Sequence, residues 1–317
     1  MSTRNGSITA VGTEMQSYYG RPIVKEPVWQ PEIPFYFFTG GIAGASSVLQ
    51  AGARLAGNDV LARRSLLIGA AADIASPLLL ISDLGRPERF LNMLRVFKVT
   101  SPMSVGSWIL FFSGATSTTA AALELLGKWK PVRVLAEAAS SLFGAPLATY
   151  TGTLLADTSI PVWHEARHEL PWLFGASASA SAGAAAAMAV APEDAGPARR
   201  LAIGGVVTEL AVMEAMQRRL GFVGEVYKQG DAGKLARASK VCAAAGAALL
   251  TSRGRRSRAA AVAGGVLVLA GELALRWSVF RAGFQSARDP RYVVVPQRER
   301  KTAARTEGTR RNVADGA

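Results

Sequence analysis

The sequence has few of the residues that hold metals, clusters or disulfides. Cys242 is its one cysteine, and His164 and His168 are its two histidines. A single thiol excludes an intramolecular disulfide, a cysteine-ligated zinc site and an iron–sulfur cluster bound by this chain alone. The histidines share one connector, so they cannot bind haem between separate helices. We therefore expect this chain to hold no metal, no haem and no iron–sulfur cluster.

The two histidines nevertheless raise one catalytic possibility. The stretch 164–168 reads HEARH, which is the H-E-x-x-H spacing of a zinc protease helix. Such a site also needs a third ligand and a helix that places both histidines on one face. Pro161 and Pro171 enclose the motif in a short connector. We interpret it as an interfacial loop in which His164 relays protons or contacts a partner, and keep an intramembrane metalloprotease as the weaker alternative.

Long apolar segments dominate the rest of the chain, while no secretory signal peptide is recognisable in the polar stretch 1–33. The chain is 50% hydrophobic, and its mean hydropathy is +0.20. A helix that crosses a bilayer needs roughly 20 mostly apolar residues. Eight segments approach this length, at about 34–56, 66–83, 104–126, 134–156, 171–191, 198–220, 236–252 and 259–282.

These segments predict an all-α membrane protein with eight transmembrane helices. They are rich in Gly, Ala and Ser, which let helices approach closely in lipid. The fifth segment, LPWLFGASASASAG, is similar to the first, IPFYFFTGGIAGAS, so we expect two four-helix bundles. The expected parts are an N-terminal segment (1–33), a first bundle (34–156), a connecting loop (157–170), a second bundle (171–282) and a basic, disordered tail (283–317).

The charges divide into those between the segments and those inside them. Lys and Arg outnumber Asp and Glu by 36 to 23, but they lie mainly between apolar segments, which is typical of membrane proteins and not of nucleic-acid binding. Inside the segments, Asp73 is a candidate for a proton path. Glu272 and Arg276 are one turn apart and predict an intrahelical ion pair. Glu209 and Glu214 are five residues apart and share no helix face, so one of the two is expected to hydrogen-bond within the bundle.

A transporter or channel is the alternative function, because helical repeats with membrane-embedded acids also suit transport. Broken helices at matching positions would support it. Pro77 interrupts the second segment, and we find no equivalent in the sixth.

Aromatic residues and one charged loop mark the side of the protein on which both termini are expected. An interfacial aromatic belt accounts for most of the aromatics, which are Tyr18, Tyr19, Trp29, Trp108, Trp163 and Trp172. Tyr36 and Tyr150 differ, because their phenols could point into the bundle and bind the carbonyls of a quinone. The loop DLGRPERF contains Asp83, Arg86 and Arg89, and we expect it to dock a soluble partner.

Several motifs in this order resemble the NrfD/PsrC family, the membrane subunits of polysulfide-reductase-like molybdoenzymes. The motifs are YYGRPIVKEPVWQPEIPFYFFTGGIAG, DLGRPERF, TSPMSVGSW and YTGTLLADTSIPVWHEARHELPWLF, and the resemblance spans roughly residues 18–292. It implies a multi-pass protein of the cell membrane that exchanges electrons between quinone, either menaquinone or ubiquinone, and a four-cluster ferredoxin-like iron–sulfur subunit. That subunit connects to a molybdopterin catalytic subunit, so catalysis is expected in another chain.

The resemblance also implies where the quinone binds. The pocket tyrosine of the family corresponds to Tyr150. A pocket histidine of the family corresponds to Tyr36, where this chain departs from the pattern, and a polar pocket position corresponds to Glu32 or its neighbour. A longer proton path would use Asp73.

Overall fold

The helix boundaries follow the apolar segments closely. The structure is a computed structural model that describes residues 22–302. This part of the chain contains no β-strand. Short 3-10 helices lie at Pro87–Leu94, Val223–Lys228 and Arg253–Arg255. The α-helices are α1 (Glu32–Leu55), α2 (Asp59–Asp83), α3 (Pro102–Leu126), α4 (Lys130–Ala156), α5 (Pro161–Glu165), α6 (Leu170–Ala189), α7 (Gly196–Leu220), α8 (Gly230–Thr251) and α9 (Arg258–Arg288), with α10 over 291–302.

Local residue chemistry explains several helix boundaries. The Asn58 side chain accepts a hydrogen bond from the Leu61 amide and caps α2, and Ser101 caps α3 in the same way. Both residues are types that satisfy the free amides of a first turn. Gly127 ends α3 with φ at 65°, a left-handed conformation that glycine adopts without strain. Pro77 lies inside α2 without ending it.

Helices α1 and α6 occupy the centre of the bundle. Helix α1 packs against α2, α4, α6 and α9, and α6 packs against α7, α9 and α4. The pairs α1–α2, α3–α4 and α1–α4 have counterparts in α6–α7, α8–α9 and α6–α9. The contacts among α1–α4 are thus similar to those among α6–α9.

Successive long helices run in opposite directions, so two ends of the bundle can be defined. We call the end where α1 begins and α9 ends the terminal end. There, the Glu26 carboxylate accepts hydrogen bonds from the Arg288 guanidinium at 2.9 and 3.0 Å, and this contact lowers the pKa of Glu26. Gln285 in α9 accepts from the Ala232 amide at the start of α8.

At the opposite end, an ion network joins the first four helices. Arg54 of α1 pairs with Glu137 of α4 at 2.9 Å and with Asp59 of α2 at 2.7 Å. Glu124 of α3 pairs with Arg133. Because Glu137 is buried, its pairing supplies the partner that a buried carboxylate requires.

Close approach between small residues holds the helices together. Gly44 of α1 lies against the backbone of Gly144 and Ala148 in α4. Gly205 of α7 lies equally close to Ala176 and Ala180 in α6. A β-carbon at either glycine would overlap the neighbouring backbone, so these contacts require glycine. Small residues at helix interfaces are the general solution in lipid, where apolar burial gives helices little reason to associate.

Membrane-spanning character is clearest in three of the described helices. By length and apolar composition, α2, α3 and α9 could each cross a membrane. The expected count of eight spans is larger, because it also relied on segments with many serines, such as α6, or with several charges, such as α7 and α8. Serines and charged residues both lower the average hydropathy of a helix, but they do not prevent the helix from packing against other helices.

The expected disordered tail from residue 283 differs from the structure. Helix α9 continues to Arg288, and α10 follows over 291–302. Tyr292 in α10 is buried and stacks on Phe222 at a ring distance of 5.1 Å. This packing orders a segment whose composition alone indicated disorder, while 303–317 lies outside the described residues.

Gly205→Ala tests the close packing of α6 and α7. The added methyl group would overlap the α6 backbone, so we expect a loss of roughly 1–3 kcal/mol in the free energy of unfolding. Gly204→Ala is the matched control, because nothing lies within 4 Å of its added β-carbon, and it should stabilise the helix by up to about 1 kcal/mol. Denaturant unfolding in detergent measures both, and equal effects would contradict the packing.

Candidate functional site

Two buried tyrosines lie near the terminal end of the bundle. Tyr36 is in the second turn of α1, and Tyr150 is six residues before the end of α4, about 9 Å along the helix. Their side chains are 2% and 7% exposed, and their phenols are close enough to interact electrostatically. Among residues 22–302, neither hydroxyl has a hydrogen-bond partner. The structure thus brings together two sequence-predicted residues whose hydroxyls remain available to a ligand.

Gly106 in α3 makes room for the Tyr150 ring. A β-carbon at this position would overlap the phenol ring and its hydroxyl oxygen. Gly106 follows the capped start of α3 in the motif TSPMSVGSW, so the cap and the glycine together set this wall of the site. Sequence analysis quoted the motif but did not identify Gly106 as the residue against which Tyr150 lies.

Glu32 and Asp83 meet at the terminal end. The Asp83 Oδ1 atom accepts a hydrogen bond from the Gln30 amide at 2.8 Å, which fastens the chain entering α1 to the end of α2. Glu32, one turn before Tyr36, has a buried Oε2 atom without a hydrogen-bond partner. The charges of Glu32 and Asp83 are close enough to repel. Asp83 thereby holds the start of α1, which carries both Glu32 and Tyr36.

Asp73 lies deeper in the bundle than the tyrosines. It is ten residues before Asp83 in α2, which is a rise of about 15 Å. Ser117 of α3 donates to Oδ2 at 2.6 Å, and Ser113 donates to both carboxylate oxygens at 3.1 and 3.2 Å. The structure thus gives Asp73 two partners that the sequence did not identify. Its use in a proton path stays a prediction.

The HEARH connector does not form a metalloprotease helix. Helix α5 ends at Glu165, and the next residues form turns before α6 begins, so the two histidines are not on one helical face. Glu165 pairs with Arg300 at 2.8 Å, and Glu169 pairs with Arg219. In the described part of the chain, no three His, Cys, Asp or Glu side chains form a group that could hold a metal.

Trp163 anchors this connector, which corrects its assignment to an interfacial aromatic belt. Its side chain is fully buried, and its Nε1 donates to the Val279 carbonyl of α9 at 2.8 Å. The indole lies against Gly283 and stacks on Trp29 at a ring distance of 5.5 Å. Trp172, by contrast, is 72% exposed, as an interfacial residue would be. Tyr18 and Tyr19 of the expected belt lie outside the described residues.

The remaining predicted residues are on the surface of the terminal end. His164 is exposed and lines a surface cavity of about 610 Å³ together with Asp157, Tyr292 and Arg300. Arg86 and Arg89 are exposed at the start of the 3-10 helix after α2. No side-chain partner of either arginine lies within residues 22–302. Both arginines are therefore available to a second protein, but the structure does not bring them to the tyrosines.

The expected ion pair between Glu272 and Arg276 is wrong. Both side chains are buried, but no salt bridge within 4.0 Å joins them in the described chain. The Arg276 guanidinium instead stacks on the Phe174 ring at 3.8 Å and donates to the Phe174 carbonyl at 3.0 Å. Spacing of one turn permits an intrahelical pair, but here packing against α6 directs the arginine away.

Gly106→Ala tests the placement of Tyr150. The methyl group would displace the phenol, so we expect a loss of roughly 1–3 kcal/mol in the free energy of unfolding. In a Tyr150→Ala background that loss should disappear, because the ring is absent and the two effects are then not additive. Gly114→Ala in the same helix is the control, since its nearest neighbour, the Asp73 carbonyl oxygen, would be 4.0 Å away. A penalty at Gly106 that is independent of Tyr150 would refute the contact.

Comparison with known proteins identifies one family. A sequence model of the NrfD family, described as polysulphide reductase, NrfD, matches residues 23–224. No curated protein matches the sequence significantly. The family match covers more than half of the chain, from the segment before α1 into the 3-10 helix after α7, and it includes the predicted site residues from Glu32 to His164. The chain therefore belongs to the NrfD family of polysulphide-reductase membrane proteins.

Proposed function

We propose that this chain is the quinone-reactive membrane subunit of an oxidoreductase complex, located in the cell membrane. Family members usually work with other oxidoreductase subunits, and several helices are apolar enough to span a bilayer. The observation that carries the proposal is the pair of buried phenols, Tyr36 and Tyr150, whose hydroxyls have no partner in the described chain. These two side chains are almost entirely buried, and two free hydroxyls at one site can donate hydrogen bonds to a polar ligand.

The proposed membrane arrangement has eight spans in two four-helix bundles, formed by α1–α4 and α6–α9. The repeated pattern of helix contacts supports it. Gly and Ser lower the apolarity of α6, and its burial between other helices keeps most of it from lipid. A transporter of the repeat type would use broken helices, whereas α2 and α7 each continue without interruption.

The site residues suit a quinone head group. When bound, quinone supplies two-electron chemistry coupled to two protons, while the protein supplies orientation and hydrogen bonds. The phenols of Tyr36 and Tyr150 can donate to two oxygens on a flat ring, and Phe37 adds an apolar wall with its ring 5.8 Å from Tyr36. Such a combination of apolar walls and a few placed donors is typical of cofactor pockets.

Protons have a short exit from this pocket. Glu32 is one helical turn from Tyr36 and has an unpartnered, buried carboxylate oxygen. It also lies at the terminal end, where α1 begins. We infer that Glu32 accepts a proton at that oxygen and passes it to solvent. Asp73, held by Ser113 and Ser117, is proposed to serve a longer path, and His164 a surface relay.

The terminal end is the proposed docking face for the electron-transfer partner. Electron exchange requires the partner to lie close to the pocket, and Tyr36 and Tyr150 are each within two turns of this end. Asp83, Arg86 and Arg89 extend along the adjoining surface. We propose that they contact a ferredoxin-like subunit with four iron–sulfur clusters, which connects to a molybdopterin subunit. This chain itself then holds no cluster, haem or metal.

Tyr150→Phe tests the quinone assignment. Loss of one hydrogen bond is worth about 0.5–1.5 kcal/mol, which corresponds to about a two- to tenfold lower quinol-linked turnover. The assembled complex should retain its partner and its activity with artificial electron donors. Tyr227→Phe is the matched control, because Tyr227 is a fully buried tyrosine with an unpartnered hydroxyl elsewhere in the bundle. Equal quinol turnover in wild type and Tyr150→Phe would sink the assignment.

Charge reversal tests the docking face. Arg86→Glu combined with Arg89→Glu should weaken binding of the iron–sulfur subunit and increase its sensitivity to salt, because exposed charges at an interface mainly steer association. The rate of association, measured at several ionic strengths, reports the change. Arg256→Glu is the control, since Arg256 is exposed at the opposite end. If both variants lowered the association rate equally, the docking face would lie elsewhere.

A further inference from the structure

The second half of the bundle buries a group of ionisable side chains that the proposed electron transfer does not use. Glu209 of α7 is 1% exposed, Glu272 of α9 is 0% exposed and Arg276 of α9 is 1% exposed. Charged side chains at this depth are costly and are retained where they are paired or have a function. Glu209 is far from Glu272 and Arg276 in the sequence, so its position beside them is a property of the fold.

The polar atoms of this group are incompletely satisfied. Ser177 of α6 donates to the Glu272 Oε2 atom at 2.6 Å. Four other atoms have no hydrogen-bond partner within the described residues, namely Glu209 Oε2, Glu272 Oε1, and Arg276 Nε and Nη1. Unsatisfied buried polar atoms are rare in folded proteins, so a set of four in one place points to something that the protein atoms alone do not supply.

The two carboxyl groups face each other. Gly205, one turn before Glu209 in α7, lies against Ala176 and Ala180 of α6, and Ser177 of α6 bonds Glu272, so both carboxyl groups approach the same part of α6. They interact closely there, yet ionised carboxylates can only accept hydrogen bonds. A contact between two acceptors is repulsive unless a proton lies between them. One proton converts either carboxyl group into a donor and turns the same geometry into a hydrogen bond.

The charges lead to the same conclusion. With both carboxylates ionised, the group would carry one net negative charge, and Arg276 could balance only one of them. Among the neighbouring helices, α6 contains no acidic, basic or histidine residue, and α1 contributes Gly41, which lies beside the Arg276 guanidinium. The charged residues of α8 face elsewhere: Asp231, Lys234 and Arg237 are exposed, and Lys240 pairs with Glu214. In the described chain, Glu209, Glu272 and Arg276 are the ionisable groups that act on one another here.

We propose that Glu209 and Glu272 form a proton-binding site that holds one proton between two carboxyl groups, with Arg276 balancing the remaining charge. A sodium ion would also restore neutrality, but it would require several oxygen ligands around it. The geometry here instead has two carboxyl groups in direct contact, one serine hydroxyl and a neighbouring cation. The proton is the ligand that this arrangement favours.

The site lies beside the helix that carries the candidate pocket. Arg276 stacks on Phe174, whose ring lies 5.9 Å from Phe37, the neighbour of Tyr36. A change of charge in the pocket would therefore act on the proton-binding site across a short, low-dielectric distance. This coupling rests on the proposed function, whereas the presence of the proton does not.

Infrared spectroscopy of the protein in lipid nanodiscs tests for the shared proton. Wild type should show a carboxylic acid carbonyl band that shifts in heavy water. Glu209→Gln and Glu272→Gln should each lose this band, because the remaining carboxylate then balances Arg276 and ionises. Glu214→Gln is the control in the same helix, since Glu214 is exposed and paired with Arg218. Asp73→Asn identifies any separate band from Asp73.

Two further measurements keep the test independent of folding defects. Ser177→Ala leaves both carboxyl groups in place and removes a donor to Glu272, so the band should shift without disappearing. A single glutamine imitates a protonated acid, so each single variant should keep a melting temperature near that of wild type. The double variant, with both Glu209→Gln and Glu272→Gln, leaves the charge of Arg276 unbalanced. Its melting temperature should therefore fall by more than the sum of the two single-variant changes.

The outcomes separate the alternatives. A band that survives both glutamine substitutions, or one that disappears only when sodium is added, overturns the proton assignment. Loss of the band in both variants together with normal quinol turnover supports the site and leaves the quinone function intact. Loss of quinol turnover in Tyr150→Phe with the band unchanged supports both. A Tyr150→Phe variant with normal turnover overturns the quinone function but not the proton site.

Discussion

Close contact between the glycine- and alanine-rich faces of neighbouring helices is the constraint on which the rest of the structure depends. At Gly44 and Gly205, backbone packs against backbone, and a single methyl group has no space. Gly44 thereby lets α1 lie directly against α4, and Gly205 lets α7 lie directly against α6. Short distances between helix axes are what allow short side chains, such as Ser113, Ser117 and Ser177, to reach a carboxylate on the next helix.

The first half of the bundle, α1–α4, and the second half, α6–α9, accommodate buried polar and charged groups in different ways. In the first half, Asp73 is surrounded by hydroxyl donors, and the tyrosines near the terminal end keep their hydroxyls free. In the second half, two carboxyl groups and an arginine meet with little help from neutral donors. Hydroxyl donors solvate one charge locally, whereas a cluster of ionisable groups must adjust its proton count to remain near neutrality. The similar helix packing of the halves therefore does not imply similar chemistry.

The terminal end owes its organisation to residues that cross between halves. Trp163 binds the connector to α9, and Arg288 of α9 pairs with Glu26 before α1. These contacts fix the connector HEARH beside the end of α4, where Gly152 lies against the Leu170 carbonyl. A stretch with the spacing of a zinc protease motif thus forms a structural junction, and its two histidines do not share a helical face.

The sequence by itself determined the helical segments and the end of the bundle at which the tyrosines lie, and it predicts that this chain ligates no haem or iron–sulfur cluster. These follow from apolar length, from residue counts and from alternation of helix direction. Tertiary structure decided the partners of Asp73, the burial of Trp163, the separation of Glu272 from Arg276 and the contact of Glu272 with Glu209. Periodicity places a residue on one face of its own helix, but the rotation of that helix against its neighbours depends on which small-residue faces interlock. That packing depends on contacts made throughout the bundle, and no single stretch of the sequence contains all of them.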